Sequence, residues 1–409
     1  MAIEKKIDLE EAITSVQMPD GEESIEVEID DDVELEAAEA MGMFDNPEDS
    51  MMPEDHDANL AEMMDTADLQ NVANDLYDGY TRDKESRQEY DDIAEEGVTL
   101  LGFKDEQGDE PFPGACSATH PVLAQAVVKF QAKTYKELFP TEGPVRTRII
   151  GLDTMQKQEQ ANRVRQFMNW QTQIQMPEYG PELDRLLFYV SLYGTAFKKT
   201  YWDPTQQRAC TEFVKSSDFY VNYFASDLES AERFTHKYTL SKNQVKKLQL
   251  AGMFRDLDVM ETSIEETGAT ESANEIVGSS KPGQEEDEVE ILEVHANIDL
   301  PEMHIDLDVP GYENEDGLKL PYIVHMTTDE QVLSIRRNWD ADDMLMKKKM
   351  YFTHYTMIPG LGFYGYGYLH LIGGLTKTAT SSMRQLIDAG TFANLPGGFK
   401  AHGLRVLAP

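Results

Sequence analysis

The 409-residue chain carries 36 Lys and Arg against 76 Asp and Glu, a formal net charge of −40, with 40% apolar and 9% aromatic residues. That apolar content permits a sizeable core spread over two or three units at roughly 150 residues each, while the acid excess argues against tight wrapping of nucleic acid, which needs Lys and Arg to displace counterions. Cys116 and Cys210 give neither a disulfide framework nor a zinc site, no run approaches about 18 consecutive apolar residues, and the first residues lack an apolar signal region, so the expectation is a soluble protein made in a reducing cytoplasm, with no membrane partner.

The charge is unevenly distributed. Residues 1–65 hold 23 Asp and Glu against Lys5 and Lys6, and Phe44 is their only aromatic. Such a segment buries too little apolar surface to offset its ordering entropy and reads as a disordered acidic tail. The motif "MGMFDNPEDSMMPEDH" within it reads as a solvated stretch ahead of a linear docking element. From Asp65 the pattern becomes helical, with Leu69, Val72, Ala73 and Leu76 on one face and Asp65 or Thr66 as cap. "GDEPFPGACSATHP" breaks it at 108–121. A strong helix over 122–138 is then expected, opened by Thr119 with Pro121 in its first turn and stopped before Pro140. Two further helices are read over 157–175 (Val164, Phe167 and Met168 on one face) and 181–194 (Leu183, Leu186, Leu187, Val190).

After Gly194 the period shifts to that of strands. "TAFKKTYW" and "ACTEFVK" flank a Pro turn as a hairpin, and an aromatic-rich extended stretch follows. A short helix runs from Ser241, its cap, to Gly252. Residues 256–290 hold 12 acids against Lys281 and read as a flexible acidic insertion at 256–287. "EVEILEVHANIDL", "LPYIVHMTT", "QVLSIRRNW" and "KKKMYFTHYTMIP" read as four strands. "GLGFYGYGY" then leads into a long helix over 369–389 that ends at Gly390. The last 66 residues, 344–409, reverse the sign: seven Lys and Arg against Asp388 alone.

Little of this carries chemistry. The dipeptide Gly-Lys occurs nowhere, which removes the phosphate-cradling loop of a packaging ATPase, and "GGLTKT" at 373–378 lacks its spacing. Gly360, Gly362, Gly365 and Gly367, alternating with Phe363, Tyr364, Tyr366 and Tyr368, read as a sharp turn packed by aromatics ahead of an anion loop. His295, His304, His325 and His354 share one region without ligand spacing and read as scattered hydrogen-bonded histidines. Asp203, Asp218 and Asp227 read as turn residues. Lys377 and Arg384, seven apart, fall on one face of the last helix, opposite Leu369, Ile372, Leu375, Ala379, Met383, Leu386 and Ile387. No catalytic, cofactor or metal set is expected.

Residues 352–406, "FTHYTMIPGLGFYGYGYLHLIGGLTKTATSSMRQLIDAGTFANLPGGFKAHGLRV", resemble the portal (head-to-tail connector) proteins of tailed bacteriophages, in the branch with larger, podophage-like subunits. There a strand with Pro, a Gly-aromatic turn and a long stem helix follow one another, matched here by 355–359, 362–368 and 369–389. Upstream, "FYVSLYGTAFKKTYWDP" and "SSDFYVNYFASDL" resemble the portal wing. The resemblance implies an α+β subunit: a wing-like helical and β region over 66–255, a β-rich clip over 288–361, a stem helix over 362–391, and at 392–409 the start of a tunnel segment, the chain being truncated relative to that family. It also implies a virion protein at one capsid vertex, forming a ring of about twelve copies. Its partners would be the terminase large subunit, capsid and tail adaptor proteins, and the double-stranded DNA packaged and ejected through the channel. Lys377 and Arg384 would face that DNA, and Leu369, Ile372, Met383 and Leu386 would meet neighbouring subunits. A capsid-associated adaptor or scaffold is the alternative, with a packaging enzyme (terminase) behind it.

Overall fold

The computed structural model describes residues 56–394 apart from 104–111, 113, 153, 204–205, 260–287, 301–318 and 344. Residues 1–55 of the expected tail, 260–287 of the expected insertion, and 395–409 lie outside the described residues. The described chain is mixed α+β with antiparallel sheets.

Within the last ten residues of the expected acidic tail, Asn59, Leu60 and Ala61 are buried. Leu60 and Ala61, in a 3-10 turn at Leu60–Glu62, are fully buried. Asn59 explains why an acid-rich stretch can order: its Oδ1 accepts from the backbone of Ala61 and Ile335, and its Nδ2 donates to the Leu333 carbonyl. Residues 56–65, expected as part of the disordered tail, are thus ordered. The first four residues of the expected insertion are ordered as well, with Val259 buried against Val245 and Phe254.

Helix α1, Thr66–Ser86, starts where the spacing predicts, with Asp65 at the cap position. α2, Gln88–Leu100, follows after a break at Arg87. α3, Val122–Leu138, has Pro121 at its cap position rather than in its first turn. α4, Met155–Trp170, is capped by Thr154 and runs into a π-helical turn at Gln171–Gln175. α5, Tyr179–Tyr193, ends on Gly194 at φ 91°, a left-handed position that suits glycine. Ser241 caps α6, Lys242–Leu250, through a capping box with Gln244, and Gly252 follows it at φ 69°.

Two sheets form. In the first, β1 (Thr195–Asp203) lies between β2 (Arg208–Val214) and β8 (Phe352–Thr356). The second is a meander of β3 (Phe219–Val221), β4 (Arg233–Ser241), β5 (Glu288–Ile298), β6 (Leu320–Thr327) and β7 (Val332–Arg337). Every neighbouring pair is antiparallel.

This topology crosses the expected division into wing (66–255) and clip (288–361). β4 pairs with β5 along its whole length, from Arg233↔Ala296 to Ser241↔Glu288, and β8 pairs with β1. The reason is burial. β5 is buried along nearly its whole length, so it requires strands on both edges, and β4 supplies one of them.

An aromatic core joins the two sheets. Phe197, Phe219, Phe234, Phe352 and Phe363 stack there, with Phe197 and Phe219 ring centroids 4.1 Å apart. A second core packs α2, α3 and α5 against the last helix, α7, Tyr368–Asn394.

Candidate functional site

The best-anchored feature of the molecule is the turn that launches α7. Phe363 and Tyr364 are buried, as the packed-turn reading of the Gly-aromatic segment expects. A Cβ on Gly367 would lie 2.4 Å from the Leu192 carbonyl oxygen, so only glycine lets the turn lie against the end of α5. The Gly365 amide donates to Thr195 Oγ1 at 2.7 Å. The Tyr364 hydroxyl donates to the Val221 carbonyl and accepts from the Val221 amide and from Arg87.

Arg87 is the centre of this anchor. Its side chain is fully buried at the α1–α2 break. It donates to the carbonyls of Ser216 (2.6 Å), Phe219 (2.7 Å) and Ser217 (3.2 Å), and it pairs with Asp91 four residues on. Its guanidinium carbon sits 4.1 Å from the Tyr220 ring centroid. One cation thus ties the first two helices, β3 and the turn before α7.

α7 itself buries a narrow stripe, Leu369, Gly373, Thr376 and Thr380, against α2, α3 and α5. The spacing of four, three and four residues puts these on one side. The opposite side is bare: Leu375 is 62% and Leu386 77% exposed, and Leu371 is exposed as well. Thr378, Ser382 and Ala389 lie on the same bare side.

The expected site residues divide accordingly. Leu369 is buried inside its own subunit, and Ile372 packs half-buried on the same core. Met383 is half-buried and Leu386 exposed. Lys377 and Arg384 share a face, as the spacing predicts, but both are committed to their own chain. Lys377 pairs with Glu96 on α2. Arg384 donates to the carbonyls of Ala118 and Ser117, each at 2.9 Å, and to Thr119 Oγ1. The cause is position. The two basic residues flank the buried stripe, Lys377 towards α2 and Arg384 towards the 116–120 segment, where the Cys116 amide also donates to Asp388. Arg384 is thus tied to the 117–119 segment of its own subunit.

The histidines are better organised than their spacing suggests. Glu293 and His295 point inward from β5 as an i, i+2 pair, and Glu293 Oε1 lies 3.0 Å from His295 Nε2. His236 on β4 approaches the other carboxylate oxygen at 3.4 Å, and Lys199 of the first sheet pairs with the same oxygen. Burial alone would raise the Glu293 carboxyl; the Lys199 charge and the two imidazoles overcome it and hold the group well below the usual carboxylate range. His325 bonds Ser334 Oγ at 3.0 Å, and His354 stacks between Phe197 and Phe363. His304 lies outside the described residues.

Glu293, His236 and His295 are all buried, so the network bolts β1 to β5 with no open approach for a substrate. Sequence reading missed Glu293, His236 and Lys199. The inward i, i+2 spacing of Glu293 and His295 was the available signal, and the strand partners that complete the set come from distant segments.

Asp203 accepts from Gln206 and Asp227 from the Ser230 amide, both within turns. A cavity of about 440 Å³ between α1 and the ends of β4 and β5 is lined by Val72, Leu76, Ile298 and Leu300, with Asp68, Asp75, Glu232, Arg233, Asp299 and Lys319 among its polar residues. Among the described residues no group of three or more His, Cys, Asp or Glu is placed to hold a metal ion, and no helix is long and apolar enough to cross a membrane. No protein-family model and no curated protein matches this chain.

Proposed function

We propose that the chain is a structural, non-enzymatic subunit that works as a ring of copies, with the role of a portal at one vertex of a tailed-phage capsid. In this reading the ring conducts double-stranded DNA during packaging and ejection. It works with the terminase large subunit and with capsid and tail adaptor proteins. The observation that carries the reading is the bare side of α7. A helix held so firmly at its start, by Arg87 and Tyr364, still leaves Leu371, Leu375 and Leu386 in water on the side away from its own core. Exposed aliphatic residues in a row on a rigid helix mark a protein contact. The order of strand, Gly-aromatic turn and long helix is the one on which the resemblance to portals rests, realised here as β8, the Tyr364 turn and α7. The strong acid excess suits a conduit that must pass a polyanion without gripping it.

Mass photometry of the purified full-length chain tests this directly. A closed assembly of about a dozen copies is expected, and a monomer at micromolar concentration would overturn the reading. A small assembly of two to four copies would favour the capsid adaptor instead. A second test uses Leu386→Asp. Because Leu386 is exposed in the subunit, the variant should keep the circular dichroism spectrum of the parent. It should fail to form rings, since the new carboxylate would be desolvated at each contact at a cost of several kcal/mol. An unfolded variant, or intact rings, would remove α7 from the interface.

A further inference from the structure

α4 is anomalous in a different way from α7: none of its side chains is buried. It is nevertheless built as a closed unit. The chain turns at Gly143 (φ 99°), and the extended stretch that follows lies along the helix. Asn169 accepts from the Val145 amide at 2.8 Å and donates to its carbonyl at 3.1 Å, and Thr147 donates to the Ala161 carbonyl. The product is a stiff arm whose outer side carries Arg163, Phe167, Trp170 and Ile174. These follow one another at intervals of four, three and four residues, so they form one seam. Phe167 is 60% and Ile174 67% exposed.

The arm also differs in charge from the rest of the molecule. Residues 144–175 hold four Arg and one Lys against Asp153 and Glu159, in a chain with a net charge of −40. Arg146, Arg148, Arg163 and Arg165 are exposed, and none pairs with a described residue. Elsewhere on the subunit the opposite occurs. α1 and α2, with the cap residue, span 65–100 and hold eleven Asp and Glu against Arg82, Lys84 and Arg87, of which Arg87 is buried. The exposed residues of α2 include Glu89 and Asp92, four and one positions before the exposed Ile93.

We infer that the basic arm, the 144–154 stretch with α4, docks on the acidic outer face of α2 in the next copy of the chain. The seam of Arg163, Phe167, Trp170 and Ile174 seats against Glu89, Asp92 and Ile93. The inference rests on the ring reading and specifies a contact within it. Two unlike surfaces on one chain make a heterologous, head-to-tail contact, the kind that closes into rings rather than dimers. Charge complementarity selects the partner and sets the register, while the apolar residues supply the buried area. DNA is the other polyanion to consider. The arginines here are interleaved with Leu152, Met155, Phe167 and Ile174, all exposed, and a phosphate backbone offers nothing to cover those groups.

The test uses charge reversal on the full-length chain, read by native mass spectrometry at fixed subunit concentration. Arg163→Glu with Arg165→Glu on the arm, and Glu89→Lys with Asp92→Lys on α2, should each lower the ring population by about tenfold or more. Circular dichroism should be unchanged because all four residues are exposed. The four substitutions combined should restore rings, and Phe167→Ser should weaken them without any change of charge. If both reversals assemble like the parent, the contact is wrong and the ring reading stands. If the parent chain is itself monomeric, both fall. If the arm reversal abolishes binding of a 30-base-pair duplex in a fluorescence anisotropy titration while rings persist, the arm serves DNA and the inference is overturned. Ring loss in the arm variant without rescue by the α2 reversal also overturns it, because the arm then meets some other surface.

Discussion

Arg87→Ala is expected to lower folding stability by about 3–5 kcal/mol, the range for breaking a buried, hydrogen-bonded charge network. The substitution removes donors from the carbonyls of Ser216, Ser217 and Phe219 and from the Tyr364 hydroxyl, in a region that admits little water. It also leaves Asp91 without its cation, on a carboxyl that burial already pushes upward. Each uncompensated buried acceptor carries a desolvation penalty of about 1–3 kcal/mol before relaxation. Arg87→Lys retains the charge but cannot reach four acceptors arranged as a fork, so it should recover only part of the loss. The measurement is the midpoint and slope of urea unfolding. Arg82→Ala serves as control, because Arg82 is exposed and among the described residues bonds the Asp78 carbonyl alone; it should shift stability by no more than about 0.5 kcal/mol. A loss below about 1 kcal/mol for Arg87→Ala would mean that the α1–α2 break and the Tyr364 turn are held by packing rather than by this cation.

Arg87 also marks the limit of what sequence patterning reveals. Periodicity located α1, α3, α4, α5 and the long last helix, because each exposes one apolar side at a regular interval and four of them have a readable cap or stop. It equally located the β1–β2 hairpin and the cap of α6, where Ser241 and Gln244 are local partners. Periodicity does not say what covers the apolar side, and there the reading went astray in both directions. Leu369 and Ile372 pack within their own subunit, while the α4 side bearing Phe167 is covered by none of the described residues. The register that joins β4 to β5 across the 256–287 stretch is equally invisible, since it depends on a pairing between segments far apart in the chain. Nothing in the local pattern singles out Arg87, and its four acceptors, all more than 120 residues away, are what make it an anchor.

The anchor and the two bare helices belong to one physical argument. A subunit that must contact identical neighbours needs surfaces that stay apolar in water without collapsing onto its own core. α7 achieves this by fixing its start with the Arg87–Tyr364 network and burying only a narrow stripe of small residues and Leu369. α4 achieves it by bonding its own extended flank through Asn169, which satisfies that backbone locally and leaves the seam outward. Both devices preorganise a surface before association, which reduces the ordering cost at each contact. In a closed ring that saving recurs at every interface.

Below pH 6.5 the protein is expected to lose stability steeply, and one substitution should reduce the loss measurably. Burial pushes His325 and His354 down to about 4, and it lowers His295 as well. Their unfolded values lie near 6.5, so on acidification the unfolded chain takes up protons that the folded one refuses. The stability contributed by these neutral imidazoles is complete above pH 6.5 and is lost as the pH falls towards about 4, at up to about 1.4 kcal/mol per pH unit for each group. Glu293 extends the loss further down. Its folded carboxyl is held well below its unfolded value near 4.5, so its contribution is present above that pH and disappears beneath it. His354 is the residue to change. Its ring stacks 4.9 Å from Phe197 and 4.5 Å from Phe363, and its buried Nε2 meets no partner among the described residues. Phenylalanine preserves the stack and removes both the unpartnered nitrogen and the titration. His354→Phe should therefore match or exceed the parent in urea unfolding at pH 7.5. Between pH 7.5 and 5 it should lose about 1–2 kcal/mol less than the parent does, the share of a single histidine over that interval. Equal losses in the two proteins would show that His354 takes up its proton in the folded state, and that the acid sensitivity over this interval resides in His325 and His295 instead.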